Sequence, residues 1–205
     1  MKKRLTLVFL LLATLVFAQN NGNYILIVNN DSIRIDLNKE VPYKINSRKE
    51  LKLKLIQPDI LTYADDMIAF NHDKTLSVSN SDIGDGIEQC MVMKSTGNGF
   101  MVQKYKTLDP SSLTRLMLNE ITKESISYGY SKTEVPFSKT LVSGQTIEGT
   151  TATLTYRGEK EIYTVATYGE KDQGIIVITM HLTDNAKDQE IIDLFLDTLR
   201  LNQVN

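Results

Sequence analysis

The sequence predicts an α+β fold: an antiparallel β-sheet covered by two main helices, with an N-terminal β extension. Three observations carry that expectation. Residues 162–168 alternate apolar and polar, and residues 175–182 (Ile-Ile-Val-Ile-Thr-Met-His-Leu) are apolar on both faces, as in a strand at the middle of a sheet. Ile191, Ile192, Phe195 and Leu199 recur at helical spacing and can cover a sheet face. Strand patterns also follow one another through tight turns with only two helical stretches. That order argues antiparallel pairing, not the strand–helix alternation of a doubly wound nucleotide-binding fold.

Residues 1–18 read as a signal peptide. Lys2, Lys3 and Arg4 form a basic start, residues 5–17 an apolar run, and Val16-Phe17-Ala18 fits the small-residue cleavage rule. The run is shorter than the ~20 residues a spanning helix needs. The expectation is export to the periplasm or beyond the cell, with no membrane span in the mature form. Cleavage takes Lys and Arg from 23 to 20 against 25 Asp and Glu, so the formal charge moves from −2 to −5. Such a chain is a poor nucleic-acid binder, which would need basic residues to neutralise phosphates. Cys90 is the only cysteine, so no intramolecular disulfide can form. Its distance from the cleavage site also excludes lipid anchoring through an N-terminal cysteine.

The remaining chain divides into a β extension over residues 19–60 and a main domain over residues 61–205. In the extension, residues 24–28 are apolar and Asn29-Asn30-Asp31 is a turn signal. Ile33, Ile35 and Leu37 then share a face, and residues 51–55 alternate with Lys52 and Lys54 outward until Pro58. Lys44, Arg48, Lys49, Lys52 and Lys54 could form an anion or membrane patch, but a solvated strand face accounts for them better.

In the main domain, residues 67–70 and 75–79 read as strands around a turn at residues 71–74, and residues 81–86 as a loop. Residues 87–94 and 100–106 read as strands joined by the Gly-rich stretch 95–99. Asp109-Pro110 is a helix start: Asp109 can cap free N–H groups, and Pro110 suits the first helical position. Leu113, Leu116, Met117 and Ile121 mark its apolar face, and Gly129 after Tyr128 suits a left-handed stop. Residues 130–141 and 149–157 are further strands. Asp184 or Asn185 can cap the closing helix.

From about Met67 to Leu201 the order resembles the PsbP-like superfamily. The cues are the strand pair ending in Phe100-Met-Val-Gln-Lys-Tyr105, the helix from Pro110, the run through Tyr156-Arg157-Gly158 and Tyr163, and the closing Phe195-Leu-Asp-Thr-Leu-Arg-Leu201. The aromatic–Pro–x–Gly–Trp opening of such domains has no counterpart here. That superfamily includes extrinsic photosystem subunits, a Ran-binding nuclear transport factor and small exported bacterial proteins. The resemblance implies a binding or accessory module without a catalytic site, and fold analogy does not choose its partner.

No familiar catalytic apparatus, metal site or cofactor signature is expected. Asn80-Ser-Asp82-Ile-Gly-Asp85-Gly86 has oxygen ligands on a Gly-rich loop, but it fails the EF-hand pattern, and an Asx turn explains it. His72 reads as a solvated turn residue and His181 as a hydrogen-bonded residue near the end of a core strand; two histidines are too few for an ordinary zinc site. Cys90 reads as a buried thiol. Asp65 and Asp66, adjacent on an extended chain, would point apart and lead into a strand in solvent. Ser112, Ser125 and Ser143 lie in no G-x-S-x-G context. One ligand-binding hypothesis remains. Tyr105, Tyr128, Tyr130, Tyr156, Tyr163 and Tyr168 all fall on or beside elements of the main domain. If they converge, they line an apolar groove with polar tips; otherwise they are ordinary strand residues. The sequence thus reads as an exported, non-enzymatic binding or accessory protein of the bacterial envelope, acting through a sheet face or groove on an unknown protein or small ligand. The alternatives are an enzyme with an unfamiliar site and an interaction module docking through its N-terminal β unit.

Overall fold

The computed structural model describes residues 23–182 and 185–202. The signal-peptide expectation, and Asp184 as a cap, lie outside them. The chain divides into two compact units between Gln57 and Pro58.

The first unit is built of two hairpins. β1 (Tyr24–Val28) pairs antiparallel with β2 (Asp31–Ile35), and β3 (Glu40–Asn46) with β4 (Lys49–Lys54). Asn29 adopts a φ of 52°, which Asn tolerates in a tight hairpin turn. The register sets Tyr24 against Ile35 and Leu26 against Ile33 on one face. Ile25 and Ile27 therefore point the opposite way and are exposed. β3 has no place in the sequence reading because Pro42 interrupts its alternation of Val41, Tyr43 and Ile45.

The second unit holds a seven-stranded antiparallel sheet in the order β10-β11-β12-β13-β9-β8-β7. Its strands are β7 (Ser79–Gly84), β8 (Ile87–Met93), β9 (Gly99–Tyr105), β10 (Ser131–Thr140), β11 (Thr146–Tyr156), β12 (Glu159–Glu170) and β13 (Gln173–His181). A three-stranded sheet joins β5 (Ile60–Ala64), β6 (Ile68–Asp73) and β14 (Arg200–Leu201) in the order β14-β6-β5. Strand parity separates two cores. On β13, Ile175 and Val177 face one core with Phe70, Phe100, Val102 and Phe195. Ile176 and Ile178 face the other with Leu118, Leu154, Tyr163 and Val165. The helix α1 (Thr114–Tyr128) lies over β11 and β12 on the second face, and α2 (Ala186–Thr198) packs on β6, β9 and β13 on the first.

This arrangement corrects the expected α+β fold with its sheet covered by two main helices. Strand accounts for 56% and helix for 17%, so the chain is mostly β. The reason is geometric. A helix ~10 Å across covers about two strands at ~4.8 Å spacing, and the sheet is seven strands wide. α1 covers its two strands. On the opposite face α2 shares the work with the small sheet: the Phe195 ring stacks on Phe100 at 3.8 Å and meets Phe70 of β6 edge-on at 5.3 Å.

The helix expected to start at Asp109-Pro110 starts later: α1 begins at Thr114, after a 3₁₀ turn (Ser111–Leu113), with no side-chain cap. Asp109 Oδ1 instead accepts from the Ser111 amide at 2.8 Å ahead of that turn. Two other local signals act as read. Gly129 ends α1 with a φ of 118°, its N–H donating to the Ser125 and Ile126 carbonyls. The Asn185 side chain caps α2 through the Lys187 amide. The expected strand over residues 75–79 is displaced. β7 occupies much of the expected loop, as a wholly exposed edge strand with no apolar alternation to announce it.

Candidate functional site

Three segments bring tyrosines together at the C-terminal end of α1. The Gly129 stop places Tyr128 on the last turn and Tyr130 just ahead of β10. The β10–β11 register sets Ser131 opposite Thr155, so Tyr130 falls beside Tyr156 at the end of β11. The tight turn at Arg157 and Gly158, with φ of 49° and 89°, returns the chain as β12, whose Glu159, Glu161 and Tyr163 face α1. The ring centroids of Tyr128 and Tyr130 each lie 5.3 Å from that of Tyr156 and 6.2 Å from each other. Tyr163 lines the adjoining cleft of about 360 Å³ with Ile121, Glu124, Ser125, Tyr128, Tyr130 and Glu161.

The polar tips of this cleft are ordered by carboxylates. Tyr130 Oη donates to Glu159 Oε2 at 2.7 Å. Ser125 Oγ and Tyr163 Oη both donate to Glu161 Oε2, at 2.7 and 3.1 Å. Tyr130 is pushed up to about 12, first by its bond to Glu159 and then by burial and the charges of Glu161 and Glu159. Tyr163 is also pushed up to about 12, chiefly by burial and further by Glu161 and Glu124, against the Ser125 hydrogen bond. Tyr128 is 69% exposed, so its ring is available to a ligand. Arg157 places its guanidinium carbon 5.0 Å from the Tyr156 centroid, a cation already resting on one ring.

Of the six tyrosines singled out by sequence, four therefore gather. Tyr105 is buried in the core under α1 and donates to Gln103 Oε1 at 2.9 Å. Tyr168 packs against the opposite core and donates to Glu170 at 2.5 Å. Neither reaches the cleft, because Tyr105 sits on β9 and Tyr168 lies on the other face of β12.

A second polar site was not legible in advance. Lys104 Nζ, with a side chain 4% exposed, donates to Asp65 Oδ2 at 2.6 Å and Glu88 Oε2 at 2.8 Å. Lys106 pairs with Glu88 at 2.6 Å and Asp66 at 3.1 Å. Asp65 Oδ1 also accepts from the Met67 and Ile68 amides, and Tyr63 Oη reaches both Asp65 Oδ2 and Asn80 at 2.8 Å. Tyr63 has one proton, and the Asp65 carboxylate is the stronger acceptor. Asn80 is then best satisfied with its amide turned so that nitrogen faces the phenol. Burial pushes Asp65 up, but the Lys104, amide and Tyr63 hydrogen bonds win and hold it below the usual carboxylate range. Lys104 behaves likewise: burial lowers it, and its two carboxylates outweigh that and raise it. A cleft of about 290 Å³ opens over this network. Asp65 is thus a half-buried linker and not a solvated lead-in. The available signal was parity, since Lys104 shares a strand face with Phe100 and Val102.

The other candidates are scattered. His72 lies buried on β6, not in a solvated turn, with Nδ1 3.0 Å from the Asp73 carbonyl. His181 is half-buried at the end of β13, and its Nε2 has no hydrogen-bond partner among the described residues. Cys90 is fully buried, and burial pushes its thiol up to about 12. Asp82 accepts from the Gly84 amide at 2.8 Å, an Asx turn. Ser143 Oγ accepts from the Leu201 amide. Among the described residues, no group of three or more His, Cys, Asp and Glu side chains is placed to hold a metal, and no helix is long and apolar enough to cross a membrane.

No family model matches the chain, and no curated protein matches it. Solved structures that match include a crystal structure from Bacteroides thetaiotaomicron VPI-5482, at 12% identity and a TM-score of 0.35. The match covers 66% of this chain and 45% of that one, so this chain spans less than half of that structure's length. The likeness is too remote to carry an argument, and the PsbP-like resemblance rests on its sequence cues alone.

Proposed function

We propose that the chain is an exported, non-catalytic binding protein of the bacterial envelope, and that it holds its ligand in the tyrosine-lined cleft at the end of α1. The observation that carries the reading is the convergence of Tyr128, Tyr130, Tyr156 and Tyr163 from separate segments, with Tyr128 left open to solvent. Aromatic walls with ordered polar tips fit a small ligand or a peptide side chain. The buried, unreactive thiol of Cys90 and the placement of the two histidines on separate strands of different sheets support a non-catalytic role. Export rests on the leader sequence. The test is a small-molecule screen by ligand-observed NMR on the protein and its Tyr128→Ala variant, a change at an exposed ring. Ligands that lose their signal with the variant support the reading, and a ligand set indifferent to Tyr128 contradicts it.

One observation favours a second reading, docking through the N-terminal unit. Ile25 and Ile27 stand on the outward face of β1 at 64% and 69% exposure, with Ile45 and Ile56 also exposed. Apolar exposure of this kind marks interaction surfaces.

A further inference from the structure

We propose that the cleft selects an organic cation, a small molecule carrying an alkylammonium group, and that the faces of Tyr128 and Tyr130 together with Glu161 and Glu124 form its seat. The inference rests on the binding reading above and names the ligand's chemistry. Three independent features point to positive charge.

The first is the rings. Aromatic faces attract cations through their quadrupole, and quaternary ammonium groups are recognised by cages of such rings. Arg157 on the Tyr156 ring shows that this cluster already accommodates one cation.

The second is unbalanced negative charge. Glu124 and Glu161 line the cleft and Glu159 holds its rim. Among the described residues none of the three has an ion-pair partner within 4.0 Å. Lys123 of α1 pairs with Glu120, and Lys132 of β10 with Glu134 while donating to Asn119, whereas Lys160 has the opposite strand parity to Glu159 and Glu161 on β12. Glu161 uses Oε2 for both of its hydroxyl donors, which leaves Oε1 with no donor among the described residues.

The third is the helix end. The cleft sits on the last two turns of α1, where the macrodipole is negative, and no basic residue occupies the last turn. A neutral sugar or an apolar side chain would use the rings but not the charge, and an anion would be repelled.

Choline and its neutral isostere 3,3-dimethylbutan-1-ol separate these possibilities, because they share shape and differ in charge. Titrated against the protein by calorimetry or NMR, choline should bind about tenfold or more tighter than the isostere. Tyr128→Leu should weaken choline about fivefold, whereas Tyr128→Phe keeps affinity within about twofold. Glu161→Gln, which retains a hydroxyl acceptor, should weaken choline about fivefold and leave the isostere unchanged. Equal binding of choline and isostere, both sensitive to Tyr128→Leu, would overturn the cation inference while the binding cleft stands. So would preference for neutral glucose or a neutral dipeptide at the same rings. Choline binding indifferent to Tyr128→Leu overturns the site. If none of these probes binds, the cation inference falls, and the small-molecule screen against Tyr128→Ala decides the cleft reading separately.

Discussion

Lys104 of β9 donates to Asp65, at the β5–β6 turn, across 2.6 Å, and so fastens the three-stranded sheet to the seven-stranded one. The pair lies at the margin of the core built on Phe70, Phe100 and Phe195. A lysine whose side chain is 4% exposed must be paired, because an isolated charge there would be strongly penalised.

Removal of that lysine is therefore expected to leave two carboxylates short of a partner. Breaking a buried pair from one side costs ~3–5 kcal/mol. Asp65 keeps its two amide donors and Glu88 keeps Lys106, so Lys104→Met should cost somewhat less, about 2–3 kcal/mol. Urea denaturation measures it. Adding Asp65→Asn should recover part of the loss, since it removes the stranded charge and retains an oxygen for the amides. A loss under about 0.5 kcal/mol, the size typical of exposed pairs, would show that the pair is solvated.

The same network sets a pH response. Asp65 is held below the usual carboxylate range, so its ionised form is favoured by folding. Its contribution is complete above the ordinary value of about 3.9 and is lost as pH falls through the lower folded-state value. Glu88, held down by Lys104 and Lys106, acts in the same direction. Asp65→Asn should thus cost stability at pH 7 and almost none at the acid end of the titration. Urea midpoints between pH 7 and pH 2.5 test this, and a variant penalty independent of pH would contradict it.

Gly129 joins helix termination to the tyrosine cluster. Its φ of 118° suits glycine, and an added Cβ would meet Tyr156 Cε2 at 3.4 Å. Gly129→Ala should destabilise by about 1 kcal/mol through backbone strain and shift the Tyr156 ring resonances. Unchanged stability would mean that the helix ends in another way.

Alkaline titration of phenol absorbance should be spread out. Tyr130 and Tyr163 are pushed up to about 12, and Tyr63 is raised beyond them. Their protonated forms are favoured by folding, so this stabilisation is present below the ordinary value of about 10 and lost as pH rises through the folded values. Tyr130→Phe and Tyr163→Phe should each remove late amplitude. One uniform transition near pH 10 would contradict the hydrogen bonds to Glu159 and Glu161.

Strong local signals were legible in the sequence. The unbroken apolar run of β13, the Gly129 stop and the Asn185 cap all depend on near neighbours, and each appears in the structure. What stayed hidden depends on distant partners. β7 has no apolar alternation, β3 carries Pro42, and β5 and β6 form a sheet of their own with the chain's closing strand β14. The burial of His72 and Asp65 follows from that packing. For the site, tyrosine content named six candidates, but parity and register decide which meet. Tyr156 and Tyr163 face α1, whereas Tyr168 has the opposite parity on β12 from Tyr163.

The most direct test of the cleft uses the nine tyrosines as reporters. Tyrosine-selective ¹³C labelling, with ring signals followed during a choline titration, shows where the ligand sits. The account predicts saturable shifts at Tyr128, Tyr130, Tyr156 and Tyr163, and still signals at Tyr24, Tyr43, Tyr63, Tyr105 and Tyr168. Shifts centred on Tyr24 and Tyr43, or on Tyr63, would place binding elsewhere and contradict it.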